Sequence, residues 1–298
     1  MSTYNGGQYL QEQIDSILCQ QDCEVSLLVR DDGSSDNTLD LLRAYEKEGK
    51  LKCIQGENLK PALSFLTALQ QSETADFYAF SDQDDIWESG KLKAAVAMLQ
   101  KEDMTTPNMY CCNLTPVDGS GEIIQAKLLP SKIVTKYREV IIRSPHIFGC
   151  TMVFNRAMRD YILQRPLPRH ALMHDMWVVL IAAALGTIVY DENSYIRYRQ
   201  HGNNCIGASI GQKEKWKKRI QVLTQQGTVS RADQAAEFIT YVGENELNNR
   251  GLYEYTKIVA NYRNNLKCKW DYFAQIDHSA MNLKQYLFHI LTVALNKL

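Results

Sequence analysis

The sequence contains no apolar run of about twenty residues, the length a membrane-spanning helix needs. Its most apolar stretch, "MWVVLIAAALG", is about half that length and follows His174 and Asp175. Residues 1–15 lack the apolar core of a secretory leader. Net charge is nearly absent, −1 over 298 residues, which argues against a nucleic-acid protein. The eight cysteines form no CxxC pair and no zinc-type spacing. Most sit in apolar runs such as "YCCN" and "FGCTMVF", the setting of reduced, buried thiols in a cytosolic protein. There is no internal repeat and no low-complexity tract. What is left is a globular, cytoplasmic protein whose 45% apolar content suffices for a large core.

The little charge there is divides unevenly. From residue 206 onward there are 13 Lys/Arg against 8 Asp/Glu, whereas the first 205 residues carry 20 against 26. In that acidic part, short apolar runs alternate with helical patterns. Leu10, Ile14, Ile17 and Leu18 share a helical face. "VSLLVR" predicts a strand that ends at "DDGSSDNT", where Asp36 and Asn37 are N-cap candidates for the next helix. "LKCIQ", "ADFYAF" and "MYCCN" predict further strands. Helices lie between them, one opened by Pro61 as its first-turn residue. This alternation implies βαβ units and a mainly parallel sheet. "CTMVFN", "TIVYD" and "SYIRYRQ" predict additional strands, and "DMWVVLIAAAL" a buried helix stopped by Gly186. The pattern turns helical and polar near residue 207, so the expected division is a domain over 1–207 and a helical extension over 208–298.

Carboxylates gather where ligands bind in such sheets, at the carboxyl ends of strands. "FSDQDDIW" places Asp82, Asp84 and Asp85 within four positions. A solvated turn is one reading. The other is cation binding: Asp82 and Asp84, two apart in an extended segment, point the same way, and Mg²⁺ or Mn²⁺ takes a few hard oxygens and completes its shell with water and phosphate. "RDDGSSDNT" fails as a calcium loop, because Gly33 comes too early and no glutamate falls at the twelfth position. Two acids before a tight turn suit ribose or base recognition; helix capping explains Asp36 but not Asp31 and Asp32.

Taken together, "STYNGG", "LLVRDDGSSDNT", "FSDQDDIW", "FGCTMVFNR", "HDMWV" and "YRQHGNN" resemble the inverting family 2 glycosyltransferases of GT-A fold. The likeness covers about residues 1–207, and the rhamnosyltransferase-like branch is the most similar. It implies an α/β GT-A fold with a C-terminal helical extension. It also implies transfer of a sugar, L-rhamnose from a dTDP donor, onto a cell-surface polysaccharide or a lipid-linked glycan. Ser2, Tyr4 and Asp32 match nucleoside-pocket positions. Lys60 stands where the family often has a basic residue near the nucleotide, although Pro61 departs from the pattern. Asp82 and Asp84 match the DxD motif that binds Mn²⁺ or Mg²⁺ and the donor diphosphate, with His201 matching a histidine that completes the metal shell. Asp175 matches the catalytic base, and Gly149 an acceptor-side loop. Trp177, also on the acceptor side, reads equally as core or sugar platform.

Alternatives stay open: the same reaction with another sugar from UDP, a non-catalytic nucleotide- or glycan-binding protein, or a nucleotidyltransferase. The last would usually carry a glycine- and lysine-rich phosphate loop near the first strand, and "STYNGGQYL" has no basic residue. "KEKWKKRIQVL" in the extension reads either as an ordinary surface helix or as a peripheral contact with an anionic membrane. Family members also begin with an apolar strand that runs into the "STYN" segment. Met1 stands where that strand should end, so the first strand is expected to be missing, with an unpaired edge or gap near Ser2 and Tyr4.

Overall fold

The computed structural model describes residues 1–200, 229–275, 281 and 283–298. The chain divides into two compact units. One comprises 1–133, 146–167 and 173–208, the other 134–145, 168–172 and 209–298. Besides the C-terminal part of the chain, the second unit takes in two short segments from within residues 1–207. Tyr137 shows why for one of them: its hydroxyl hydrogen-bonds Thr256 Oγ1 at 2.8 Å.

The first unit is mixed α/β. β1 (Ser2–Thr3), β2 (Leu28–Asp31) and β3 (Lys52–Gln55) form a parallel sheet in that order. β4 (Phe77–Ala79), β5 (Ile86–Trp87), β6 (Met109–Val117), β7 (Val153–Asn155) and β8 (Ile188–Arg199) form a second sheet in the order β4-β7-β6-β8-β5. There the β6–β8 pair is parallel and the other three pairs are antiparallel. The expectation of a mainly parallel sheet therefore holds for the first sheet only. Helices α1 (Leu10–Leu18), α2 (Thr38–Lys47) and α3 (Lys60–Gln70) bury the apolar faces that their periodicity predicts, α4 (Lys91–Leu99) buries Ala95 and Leu99 together with Lys91, and α5 (Tyr137–Val140), α6 (Arg156–Leu163) and α7 (His174–Leu185) follow in chain order. Val29, Leu10, Ile14, Leu42, Leu99 and Tyr110 form the heart of this core.

β1 has two residues, and its only strand partner among the described residues is β2. Beside it lies a cavity of about 700 Å³, walled by Met1, Leu27 and Leu28 on one side and by Phe77, Tyr78 and Phe80 of the β4 segment on the other. The Met1 ammonium donates to the Leu28 carbonyl at 2.8 Å, and burial pushes its pKa down to about 5.

The second unit holds the helices Arg231–Val242, Glu244–Asn249, Tyr253–Asn261, Leu266–Gln275 and Leu283–Ala294 among its described residues. A capping box starts the first of these. Ser230 Oγ accepts from the Asp233 N–H at 3.2 Å, and the Asp233 carboxylate accepts from the Ser230 N–H at 3.0 Å. Phe238, Tyr255, Val259, Tyr262 and Tyr272 are buried in this unit. No described helix of either unit is long and apolar enough to cross a membrane.

Candidate active site

The "STYNGG" segment, the loop after β2 and the aspartate turn after β4 are wired into one another. Gln83, the residue between the two paired aspartates, accepts from Thr3 Oγ1 at 2.7 Å and from the Tyr4 N–H at 2.8 Å, and donates to the Tyr4 carbonyl at 3.3 Å. Asn5 sits at φ +50°, a left-handed conformation that asparagine tolerates. Its N–H donates to Ser34 Oγ at 2.9 Å, and its side-chain oxygen accepts from the Ser35 N–H at 2.8 Å. A Cβ on Gly6 would strike the Gln83 amide, and one on Gly7 the Asn37 side chain. The two glycines are there because these segments approach so closely.

The paired acids after β2 have different partners. Asp31 is buried and shapes the turn, accepting from the Gly33 N–H at 3.0 Å, the Ser34 N–H at 2.9 Å and Ser34 Oγ. Asp32 is also buried. It pairs with Arg30 and accepts from Ser64 Oγ at 2.6 Å and the Leu59 N–H at 3.0 Å. Ser64 Oγ in turn hydrogen-bonds Ser2 Oγ at 2.7 Å. Ser2 and Asp32 therefore share a partner, while Tyr4 is half exposed beside them. Lys60 is exposed at the start of α3 with φ +62°, an uncommon conformation for a lysine.

The aspartate turn has an inner and an outer side. Asp82 is pushed up to about 7, first by burial and then by the charges of Asp84 and Asp175. Asp85 is fully buried and also raised, by burial and then by Asp84 and Asp82. Its Oδ1 accepts from the Arg199 N–H at 3.2 Å, so it ties the turn to β8 rather than to the residues that follow it. Lys91 is buried beneath, its ammonium 3.2 Å from the centre of the Trp87 ring. Burial pushes this lysine down to about 8, against the pull of the nearby aspartates.

Such crowding of carboxylates is relieved by a bound cation, and the donor set fits one. Asp82, Asp85 and Cys150 each offer an atom, all within 4.8 Å of one another, and the two carboxylates are the hard donors that Mg²⁺ or Mn²⁺ prefers. Asp84 is half-buried in the same turn and close enough to perturb Asp82. His201 lies outside the described residues.

Asp175 occupies the first turn of helix α7 (His174–Leu185). Burial pushes it up to about 6, while the Met176 and Gly149 N–H groups hold its charged form. The Met176 bond is 2.6 Å long. Gly149 is thus joined directly to Asp175, and it has a second constraint: a Cβ there would lie 2.5 Å from His174 Nε2. His174 is buried with its ring stacked on Phe65 at 3.9 Å between centres, and burial pushes it down to about 3. It supports the Asp175 turn as a neutral ring. Trp177, weighed as an acceptor-side platform, is fully buried on α7 and offers no face to a ligand; its place is the core.

The sequence reading missed Gln83, Ser64 and Arg199. Each acts on a partner far away in the chain, and the one local signal was Gln83's position inside the "SDQDD" run.

The fold and these motifs have known counterparts. The dTDP-rhamnosyl transferase RfbG of Shigella flexneri is 28% identical over 234 residues, which cover 73% of this chain and 77% of that protein. Among solved structures, S. aureus TarS 1–349 in complex with UDP superposes with a TM-score of 0.54 at 19% identity, over 96% of this chain and 75% of that one. The mannosyltransferase PcManGT of Pyrobaculum calidifontis, in complex with GDP-Man and Mn²⁺, gives 0.50 at 17% identity, over 99% and 78%. Residues 1–162 match the model of glycosyl transferase family 2. That span holds the "STYNGG" segment, the loop after β2 and the aspartate turn, and on this match the chain belongs to glycosyl transferase family 2 and is a glycosyltransferase.

Proposed function

We propose that this chain is an inverting, metal-dependent transferase that moves L-rhamnose from a dTDP donor onto a growing cell-surface polysaccharide or lipid-linked glycan. The observation that carries the reading is that Asp175 accepts from the Gly149 N–H while the next residue, Cys150, lies with Asp82 and Asp85 in a cluster whose atoms are within 4.8 Å of one another, so a base and the aspartate turn share one site. RfbG supports rhamnose as the sugar, and the Mn²⁺ complex of PcManGT agrees with a divalent cation. Asp82 and Asp84 would hold the cation, with Asp85 behind them, and the cation would offset the charge of the departing diphosphate. Ser2, Tyr4 and Asp32 line the nucleoside side, with Lys60 near the nucleotide.

Asp175 takes the proton of the acceptor hydroxyl. A carboxylate with a pKa of about 6 is ionised at neutral pH yet more basic than a solvated one. The freed oxygen attacks the anomeric carbon from the face opposite the diphosphate, which leaves with the bonding electrons. No second carboxylate acid is required, unlike in a hydrolase. The Gly149 N–H keeps Asp175 aimed, and His174, neutral and buried, does not compete for the proton. A lipid-linked acceptor would be met at the membrane surface, where the basic extension makes peripheral contact.

Turnover with a panel of dTDP- and UDP-sugars in Mn²⁺ tests the donor; transfer from UDP-sugars alone would replace rhamnose in this reading. Asp175→Asn is expected to bind donor normally and lose about 10²–10⁴-fold in turnover. Equal loss of donor binding would make Asp175 structural instead.

A further inference from the structure

Arg199 ends β8 and is 2% exposed, yet nothing in the chemistry above uses it. Its guanidinium donates from Nε to the Asp84 carbonyl at 3.0 Å, from Nη1 to the Gly119 carbonyl at 3.0 Å and from Nη2 to Glu12 Oε2 at 2.6 Å. Its face lies 4.5 Å from the centre of the Tyr9 ring. Its own N–H donates to Asp85 Oδ1 at 3.2 Å. One side chain thus joins the aspartate turn, the exit of β6, and α1 with the residue before it. Tyr9 and Glu12 directly follow the "STYNGG" segment, which Gln83 holds against the other side of the same turn.

We infer that Arg199 is a positioning residue. It fixes the backbone of the Asp82–Asp85 turn against α1, and so holds the two outer aspartates in register with the diphosphate of a bound nucleotide. The inference rests on the reading of that turn as the metal and diphosphate site. An arginine is required because three acceptors in different directions need a planar fork of donors, and a lysine is a single point charge. The bond to Asp84 is made to its main-chain carbonyl and not to its carboxylate, so it restrains the backbone that carries the aspartates. Groups that orient metal ligands from behind in this way typically cost 10–100-fold in metal affinity when changed.

Arg199→Lys tests this, with UDP and dTDP as probes titrated with Mn²⁺ and with EDTA. A folded variant is expected to bind both probes in Mn²⁺ about 10–100-fold more weakly, with KM for the donor raised and KM for the acceptor unchanged. Affinity within about twofold of wild type, well below that range, overturns the inference. So does an equal rise in both KM values, which is what a merely structural role gives. If Arg199→Lys does not fold, Glu12→Gln decides, since it removes only the charged outer partner. Probe binding weakened by about tenfold or more, the lower edge of an orienting effect, supports the inference, and a smaller change overturns it. The metal reading fails separately, if wild-type protein binds the probes equally well in Mn²⁺ and in EDTA. The inference then stands or falls on the EDTA titrations of the same variants.

Discussion

Asp82 is held in the folded chain with its proton on, at pH values where an unfolded chain has lost it. Its pKa is about 7 against an ordinary 3.8. Between those values the native state binds more protons than the unfolded one, so this group's contribution to stability falls as pH rises from about 4 to about 7. Above 7 the repulsion is fully present. In metal-free buffer, Asp82→Asn should therefore melt at the same temperature as wild type near pH 4 and at a higher one above pH 7. Mn²⁺ should raise the wild-type melting temperature and leave the variant's nearly unchanged. A difference that is constant across pH would refute this account of the site. The aspartates themselves were legible from their spacing. Their restraints were not, because the amide of Gln83 and the guanidinium of Arg199 act across 79 and 115 positions, and no local pattern encodes such a distance.

Strands and helices show a related division. The amphipathic helices appear where their apolar positions recur, because each buries one face against a sheet. α7 is buried nearly all round, and its apolar run reads the same from sequence. The predicted strands "TIVYD" and "SYIRYRQ" form one strand, β8, since pairing with β6 resumes after Glu192 and Asn193 with a shift of register, from Cys112 opposite Asp191 to Asn113 opposite Ser194. Pairing decided this, and pairing direction likewise mixed a second sheet that helical alternation alone predicts to be parallel. The cavity between β2 and β4 gives the elements a testable margin. Ala68 of α3 lines it and is buried, and leucine suits a helix nearly as well as alanine. Ala68→Leu is expected to add about 0.5–2 kcal/mol of stability, the usual gain from filling a cavity, read as a higher denaturant midpoint. An unchanged or lower midpoint would mean that the cavity walls cannot admit the side chain.

For the molecule as a whole, the excess of basic residues and one group of exposed apolar residues fall in the same part of the chain. The acidic part carries the aspartate turn, while the segment from residue 206 onward carries the excess of lysine and arginine. Within the helical unit, Leu283, Leu287, Leu291 and Leu295 recur every four residues and are all exposed, as are Leu266 and Trp270. Exposed leucines on one helical face, with a tryptophan and lysines nearby, are what an interfacial helix presents to lipid. Lys267 and Lys284 lie on the same two helices. Lys215, Lys217 and Lys218, the basic cluster that reads either as an ordinary surface helix or as a membrane contact, lie outside the described residues. The two contributions separate by salt: the charge term is about 1 kcal/mol per basic residue near an anionic surface and is screened, whereas apolar insertion is not. Leu287→Asp with Leu291→Asp should reduce sedimentation with phosphatidylglycerol vesicles at both low and high salt. Reversal of Lys215, Lys217 and Lys218 to glutamate should reduce it at low salt only. Activity on a water-soluble acceptor should survive both sets of changes, because none of these residues belongs to the aspartate turn or to the Asp175 loop. Vesicle binding that neither set alters would leave the leucine face as an ordinary protein surface and remove the membrane from the proposed function.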